Sequence, residues 1–155
     1  MMRHARQLAG TSARYFALVA FVVSLALVQV ASATTLAPGS TDAVMLTGTA
    51  GGDMRAVRFG NTDSGFCTGW ISSTPSHVVT LDSDFAGLVL EVNAPADTTL
   101  VVLGPNGTRC NDDTSDDNEN PRINGSSWPA GEYRIYVGAY DEGQRVRYTL
   151  TIRPL

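Results

Sequence analysis

The chain is predicted to fold as an all-β antiparallel sandwich, and three features of the sequence carry that prediction. Glu132 to Tyr140 sets Tyr133, Ile135 and Val137 on one side and Glu132, Arg134 and Tyr136 on the other, the period of two that a strand imposes on its side chains. Arg145 to Arg153 repeats the pattern, with Val146, Tyr148, Leu150 and Ile152 opposite Arg145, Arg147, Thr149 and Thr151. The unbroken apolar run Leu88-Val89-Leu90 suggests burial between two sheets. Past residue 33 no stretch carries a helical period, so about eight strands in a jelly-roll-like sandwich are expected.

In chain order, residues 1–33 read as a cleaved export signal. Arg3, His4, Arg6 and Arg14 make a basic start, Tyr15 to Val30 is almost unbroken apolar sequence, and Ala31-Ser32-Ala33 supplies the small residues a signal peptidase needs. The apolar run falls short of the roughly 20 residues that span a bilayer. Export to the periplasm or beyond follows, with Thr34 as the new N-terminus. Residues 34–52, rich in Thr, Ala and Gly, are expected to be a loose lead-in with one short strand at Val44-Met45-Leu46.

Residues 53–155 form the sandwich domain proper. Strands are predicted over Met54 to Phe59, bounded by glycines, near Trp70-Ile71, over Val78 to Leu81 and over Leu88 to Asn93. Thr99 to Leu103 and Thr108 to Asn111 should form a hairpin, since Asn-Gly accepts the positive φ that two-residue loops require. With Asn106 and Gly107 as the loop, Pro105 faces Thr108, Leu103 faces Cys110 and Leu100 faces Asp113. Trp128-Pro129-Ala130-Gly131 then makes a turn into the last two strands.

Charge and residue usage exclude several functions. Three of the 11 basic residues precede Thr34 and none of the 15 acidic ones do, leaving eight against 15 and a net charge of −7 for the remainder. That balance disfavours nucleic acid and anionic membranes, which need a basic patch to release counterions. The chain has no lysine, so Schiff-base chemistry is excluded. Beyond the signal His77 is the sole histidine, and beside Pro75 and Ser76 at a strand start it reads as a surface imidazole. No serine lies in a Gly-x-Ser-x-Gly elbow, and neither Gly51-Gly52 nor Gly104-Pro105-Asn106-Gly107 opens a helix. No catalytic residue is assigned.

The chemistry that remains is oxygen ligation and aromatic stacking. Asp112, Asp113, Asp116, Asp117 and Glu119 crowd one loop, with Asp97 near its start, and such carboxylates repel one another unless they are well solvated or share a cation. Calcium, which takes six to eight oxygen ligands, suits them. Asp97, Asp113, Asp116 and Asp117 are expected in its first shell, with Asp112, Asn118 and Glu119 beside them; a solvated acidic loop without metal is the alternative. Trp70, Trp128, Tyr136 and Tyr140 are candidates for a ligand-binding face, Tyr136 because it is predicted to point away from the core.

Several motifs also carry a resemblance. Cys67-x-Gly69-Trp70-Ile71, Asp97-Thr98-Thr99-Leu100, Gly104-Pro105-x-Gly107, Cys110-x-Asp112-Asp113, Asn120-Pro121, Gly131-x-Tyr133, Val137-Gly138-x-Tyr140 and Tyr148-x-Leu150 resemble the bacterial pre-peptidase C-terminal domain, nearest to its short stand-alone secreted relatives. The resemblance runs from about Asp53 to the end. It implies a small antiparallel sandwich, non-catalytic, with calcium in some members, often serving a secreted protease. Cys67 and Cys110, the two cysteines of an exported chain, are expected to form a disulfide on compartment and resemblance together. The expected function is a secreted binding or accessory module that acts on extracellular protein or polysaccharide, or assists a secreted peptidase. A cell-envelope structural or inhibitor-like protein that binds a protein partner is the alternative, and a hydrolase with an unrecognised site a second one.

Overall fold

The computed structural model describes residues 33–37, 39–62 and 65–155, so the predicted signal lies outside the described residues except for Ala33. The early strands are β1 (Ala33–Leu36), β2 (Val44–Ala50), β3 (Met54–Arg55), β4 (Asn61–Thr62), β5 (Gly65–Phe66), β6 (Trp70–Ile71) and β7 (His77–Leu81). They are followed by β8 (Phe85–Asn93), β9 (Thr98–Gly104), β10 (Gly107–Asn111), β11 (Arg122–Trp128), β12 (Gly131–Ala139) and β13 (Val146–Pro154). One 3-10 turn, Ala56–Phe59, follows β3.

The strands build the predicted sandwich. In the larger sheet β12 is the hub: β7 pairs along Gly131–Ile135, β6 meets it at Ala139, and β9 runs beside Arg134–Ala139. Around the hub β1 joins β7, β3 joins β6 and β10 joins β9. The second sheet has the order β11-β8-β13-β2 and is antiparallel throughout. Between the sheets lies the main core, in which Leu88, Leu90, Leu150 and Ile152 meet Val79, Val102, Tyr133 and Ile135. The alternation read in β12 and β13 decides which of their residues enter it.

A second, smaller cluster accounts for a residue the alternation misplaces. Ala56, Cys67, Ile71, Val101, Cys110 and Tyr136 pack on the outer face of the larger sheet, beneath the 3-10 turn. Tyr136 points away from the main core as predicted, but Phe59 covers its ring at a centroid distance of 5.5 Å and leaves it 7% exposed. A strand with cover on both faces buries both sets of side chains.

The structure differs from the sequence reading in four further places. Residues 34–52 are no loose lead-in: β1 pairs in parallel with β7 and buries Leu36, and β2 pairs with β13 over its whole length. Met54 to Phe59 keeps only two strand residues before the 3-10 turn. The polar stretch Arg122–Trp128, where no strand is predicted, is an edge strand that buries Ile123 and Trp128 against β8. Finally, the β9–β10 loop sits one residue earlier, which moves each cross-strand partner by two: Thr108 faces Leu103, Cys110 faces Val101 and Asn111 faces Leu100. Proline holds φ near −65°, which suits the first central position of a turn. Pro105 and Asn106 thus make the loop, and Gly107 takes the positive φ of 106°.

Candidate functional site

The acidic loop hangs from a braced frame at one end of the sandwich. Cys110 of β10 is bonded to Cys67 across 43 residues of chain, as expected, which fixes the Cys67 segment against the hairpin. Beside it, Thr68 Oγ1 donates to Asp112 Oδ2 at 2.8 Å. Asn120 anchors the far end: its Oδ1 accepts from Thr98 Oγ1 at 2.8 Å, and its Nδ2 donates to the Ala94 carbonyl at 2.9 Å. The Thr114 hydroxyl donates to the Asn120 carbonyl at 2.7 Å, so the loop folds back on itself. Thr98 and Thr99 are fully buried and spend their hydroxyls inward, Thr99 on the Asn111 carbonyl at 3.4 Å.

Asp97 lies where this loop meets the end of β12. Ala139 faces Thr98, so the next pair along places Tyr140 opposite Asp97, and Tyr140 N–H donates to the Asp97 carbonyl at 3.3 Å. The side chain is less well served: Oδ1 of Asp97 is buried and has no hydrogen-bond partner. Burial, followed by the charges of Asp113, Glu119, Asp112 and Asp141, pushes its carboxyl up to about 6. Asp113 is raised too, by desolvation and then by Asp112, Glu119 and Asp116.

The structure divides the seven predicted metal residues. Asp97, Asp112, Asp113 and Glu119 interact as one group, joined by Asp141, which the sequence reading missed. Asp116, which also acts on Asp113, borders with Asp117, Asn118 and Glu119 a shallow groove of about 300 Å³ shared with Ala94, Pro95 and Ala96. Asn118 Oδ1 is already engaged by the Asn120 N–H at 3.1 Å. Among the described residues no three His, Cys, Asp or Glu side chains stand close enough together to hold a metal ion. The donor chemistry nevertheless fits a hard cation: every ligand on offer is oxygen, and one of them is buried without a partner.

The aromatic candidates fall into two sets. Trp128 is 1% exposed, its indole N–H donating to the Gly125 carbonyl at 2.9 Å and its ring lying 4.3 Å from the Arg109 guanidinium carbon. Like Tyr136, it has no free face for a ligand. Tyr140 is 49% exposed, and Trp70 is half-buried with the Arg55 guanidinium 5.5 Å from its ring centre. His77 is not a surface residue: it is 6% exposed, 2.7 Å from the Tyr148 hydroxyl, and burial lowers its pKa.

No protein-family model matches the chain. It is 35% identical over 88 residues to an uncharacterized protein of Synechococcus elongatus, a match covering 54% of this chain and 63% of that protein. Among solved structures it is similar to the pre-peptidase C-terminal domain of collagenase from Bacillus anthracis, with a TM-score of 0.44, 13% identity, and coverage of 81% of this chain and 98% of that one. It is also similar to PliG of Aeromonas hydrophila, a periplasmic inhibitor of g-type lysozyme, with a TM-score of 0.41, 12% identity, and coverage of 81% and 100%.

Proposed function

We propose that the chain is an exported, non-catalytic binding module of the pre-peptidase C-terminal type whose acidic end takes calcium. The observation that carries this reading is Asp97 Oδ1, buried without a donor among carboxylates that already raise its proton affinity. A buried carboxylate oxygen is costly when unpartnered, and a divalent cation relieves the missing contact and the repulsion together. Asp97, Asp112, Asp113, Glu119 and Asp141 are the ligands this reading favours. The loop side chains have still to converge, so binding and ordering of the loop are one event.

The Cys67–Cys110 bridge supports an oxidising compartment, hence export. Non-catalytic action is supported by His77, whose imidazole is buried against Tyr148 and not presented to a substrate. The partner is an extracellular protein or polysaccharide, or a secreted peptidase. Calorimetric titration with calcium tests the site: heat of binding is expected for the native chain and its loss for Asp97→Asn. An unchanged titration in that variant removes Asp97 from the site.

A further inference from the structure

A second site lies apart from the carboxylates, where three segments meet at the cleft before β13. Gly51 and Gly52 precede β3, Ser72 and Ser73 follow β6, and Arg145 precedes β13. Their backbones approach so closely that a Cβ on Gly52 overlaps the main chain of Ile71 and Ser72, and one on Gly51 meets the Gln144 carbonyl. The cleft they leave is about 540 Å³ and is lined by Met54, Arg55, Val57, Arg58, Ser73 and Arg145 among others.

Three guanidinium groups share this cleft with one carboxylate, Asp53, in a chain whose net charge is −4. Arg145 is held in place, Nη1 donating to the Gly51 carbonyl at 2.5 Å and Nη2 standing 3.7 Å from Asp53, while its side chain stays 53% exposed. Other arginines are used internally: Arg109 donates to the carbonyls of Ser126 and Ser127, and Arg134 pairs with Glu132 at 2.9 Å. Val57, 54% exposed, adds an aliphatic wall beside Arg58.

We propose that this cleft binds an extended acidic peptide of a partner protein, with Arg55 and Arg58 pairing its carboxylate side chains. The proposal rests on the reading of the chain as a binding module. A guanidinium fork matches a carboxylate with two parallel N–H donors, and the excess of positive charge here has no counterpart within the cleft. The lining favours peptide over polysaccharide. Sugar rings stack on open aromatic faces, yet no aromatic side chain lines the cleft among the described residues, and its apolar lining is aliphatic. Met54 and Val57 suit the aliphatic side chains of a strand that alternates acidic and apolar residues.

The test is fluorescence anisotropy with a labelled peptide of alternating Glu and Val, with oligogalacturonate as competitor. Saturable binding is expected, weakened at least about tenfold in Arg55→Glu/Arg58→Glu and only partly in Arg58→Lys. Arg147→Glu/Arg153→Glu, with the same change in net charge, should leave affinity unchanged, and thermal unfolding of each variant checks that the fold is intact. Absence of binding, equal loss in both double variants, or tighter binding of the uronate overturns the proposal. Mass spectrometry of the recovered peptide separates the two readings: cleavage would end the non-catalytic account while leaving the cleft as the peptide site.

Discussion

Tyr148 of β13 and His77 of β7 meet at 2.7 Å across the sandwich, a buried polar bridge between its two sheets. The rings are edge to face, with centroids 5.8 Å apart. Gly48 of β2 makes room for this pair, since a Cβ there would lie 2.5 Å from the Tyr148 hydroxyl.

Removing the hydroxyl should therefore cost more than the bond alone. Tyr148→Phe leaves a buried imidazole nitrogen without its partner, a loss of about 1 to 3 kcal/mol in urea unfolding. Gly48→Ala crowds the same hydroxyl and should cost about 1 to 3 kcal/mol by overpacking. If either variant unfolds with the native midpoint, the bridge is not structural.

The pH dependence of stability has two opposed parts below neutrality. Burial lowers the His77 pKa from 6.5, so its contribution is complete above that value and is lost as pH falls below it. Asp97 is raised from 3.8 to about 6, so its contribution is complete below 3.8 and is lost as pH rises through 6. Asp97→Asn removes the second part alone. Calcium-free unfolding should then show stability falling more steeply from pH 6.5 to 4 in the variant than in the native chain. Burial raises Tyr148 to about 12, so stability should fall again as pH rises from 10 through 12.

Calcium affinity should weaken as pH drops through about 6, because the proton that Asp97 takes up there competes with the cation. Calorimetry at pH 5 and pH 7 reads this directly. Equal affinities would place the cation elsewhere.

Cys67→Ser/Cys110→Ser should lower stability by about 4 kcal/mol in the chain-entropy view, for a bridge spanning 43 residues. The loss should appear in denaturant unfolding of the double variant and in the native chain after reduction. The bridge also ties the smaller cluster together, so near-ultraviolet dichroism of Tyr136 and its neighbours should weaken at the same time.

The two closing strands were legible because one face of each packs on the main core and the sequence alternates accordingly. Where cover or pairing comes from distant chain, the sequence was silent. Tyr136 is buried by Phe59, reached only once the disulfide and the 3-10 turn fold over the sheet. Arg122–Trp128 is an edge strand whose exposed residues are Asn and Ser, so nothing local distinguished it from a loop. Asp141 joins the carboxylates because Ala139 faces Thr98, a register that brings the residue after Tyr140 beside the start of β9. The carboxylates of the acidic loop were visible as composition, but their division into a group around Asp97 and a groove beside Ala94 was not.

The central claim is tested most directly by thermal unfolding of the native chain and Asp97→Asn, disulfide intact, first in EDTA and then in millimolar calcium. A ligand at about 100 times its Kd stabilises the folded state by roughly 2.7 kcal/mol, several degrees for a domain of this size. The account predicts that rise for the native chain and its absence in Asp97→Asn. Identical midpoints in EDTA and calcium for the native chain would contradict it.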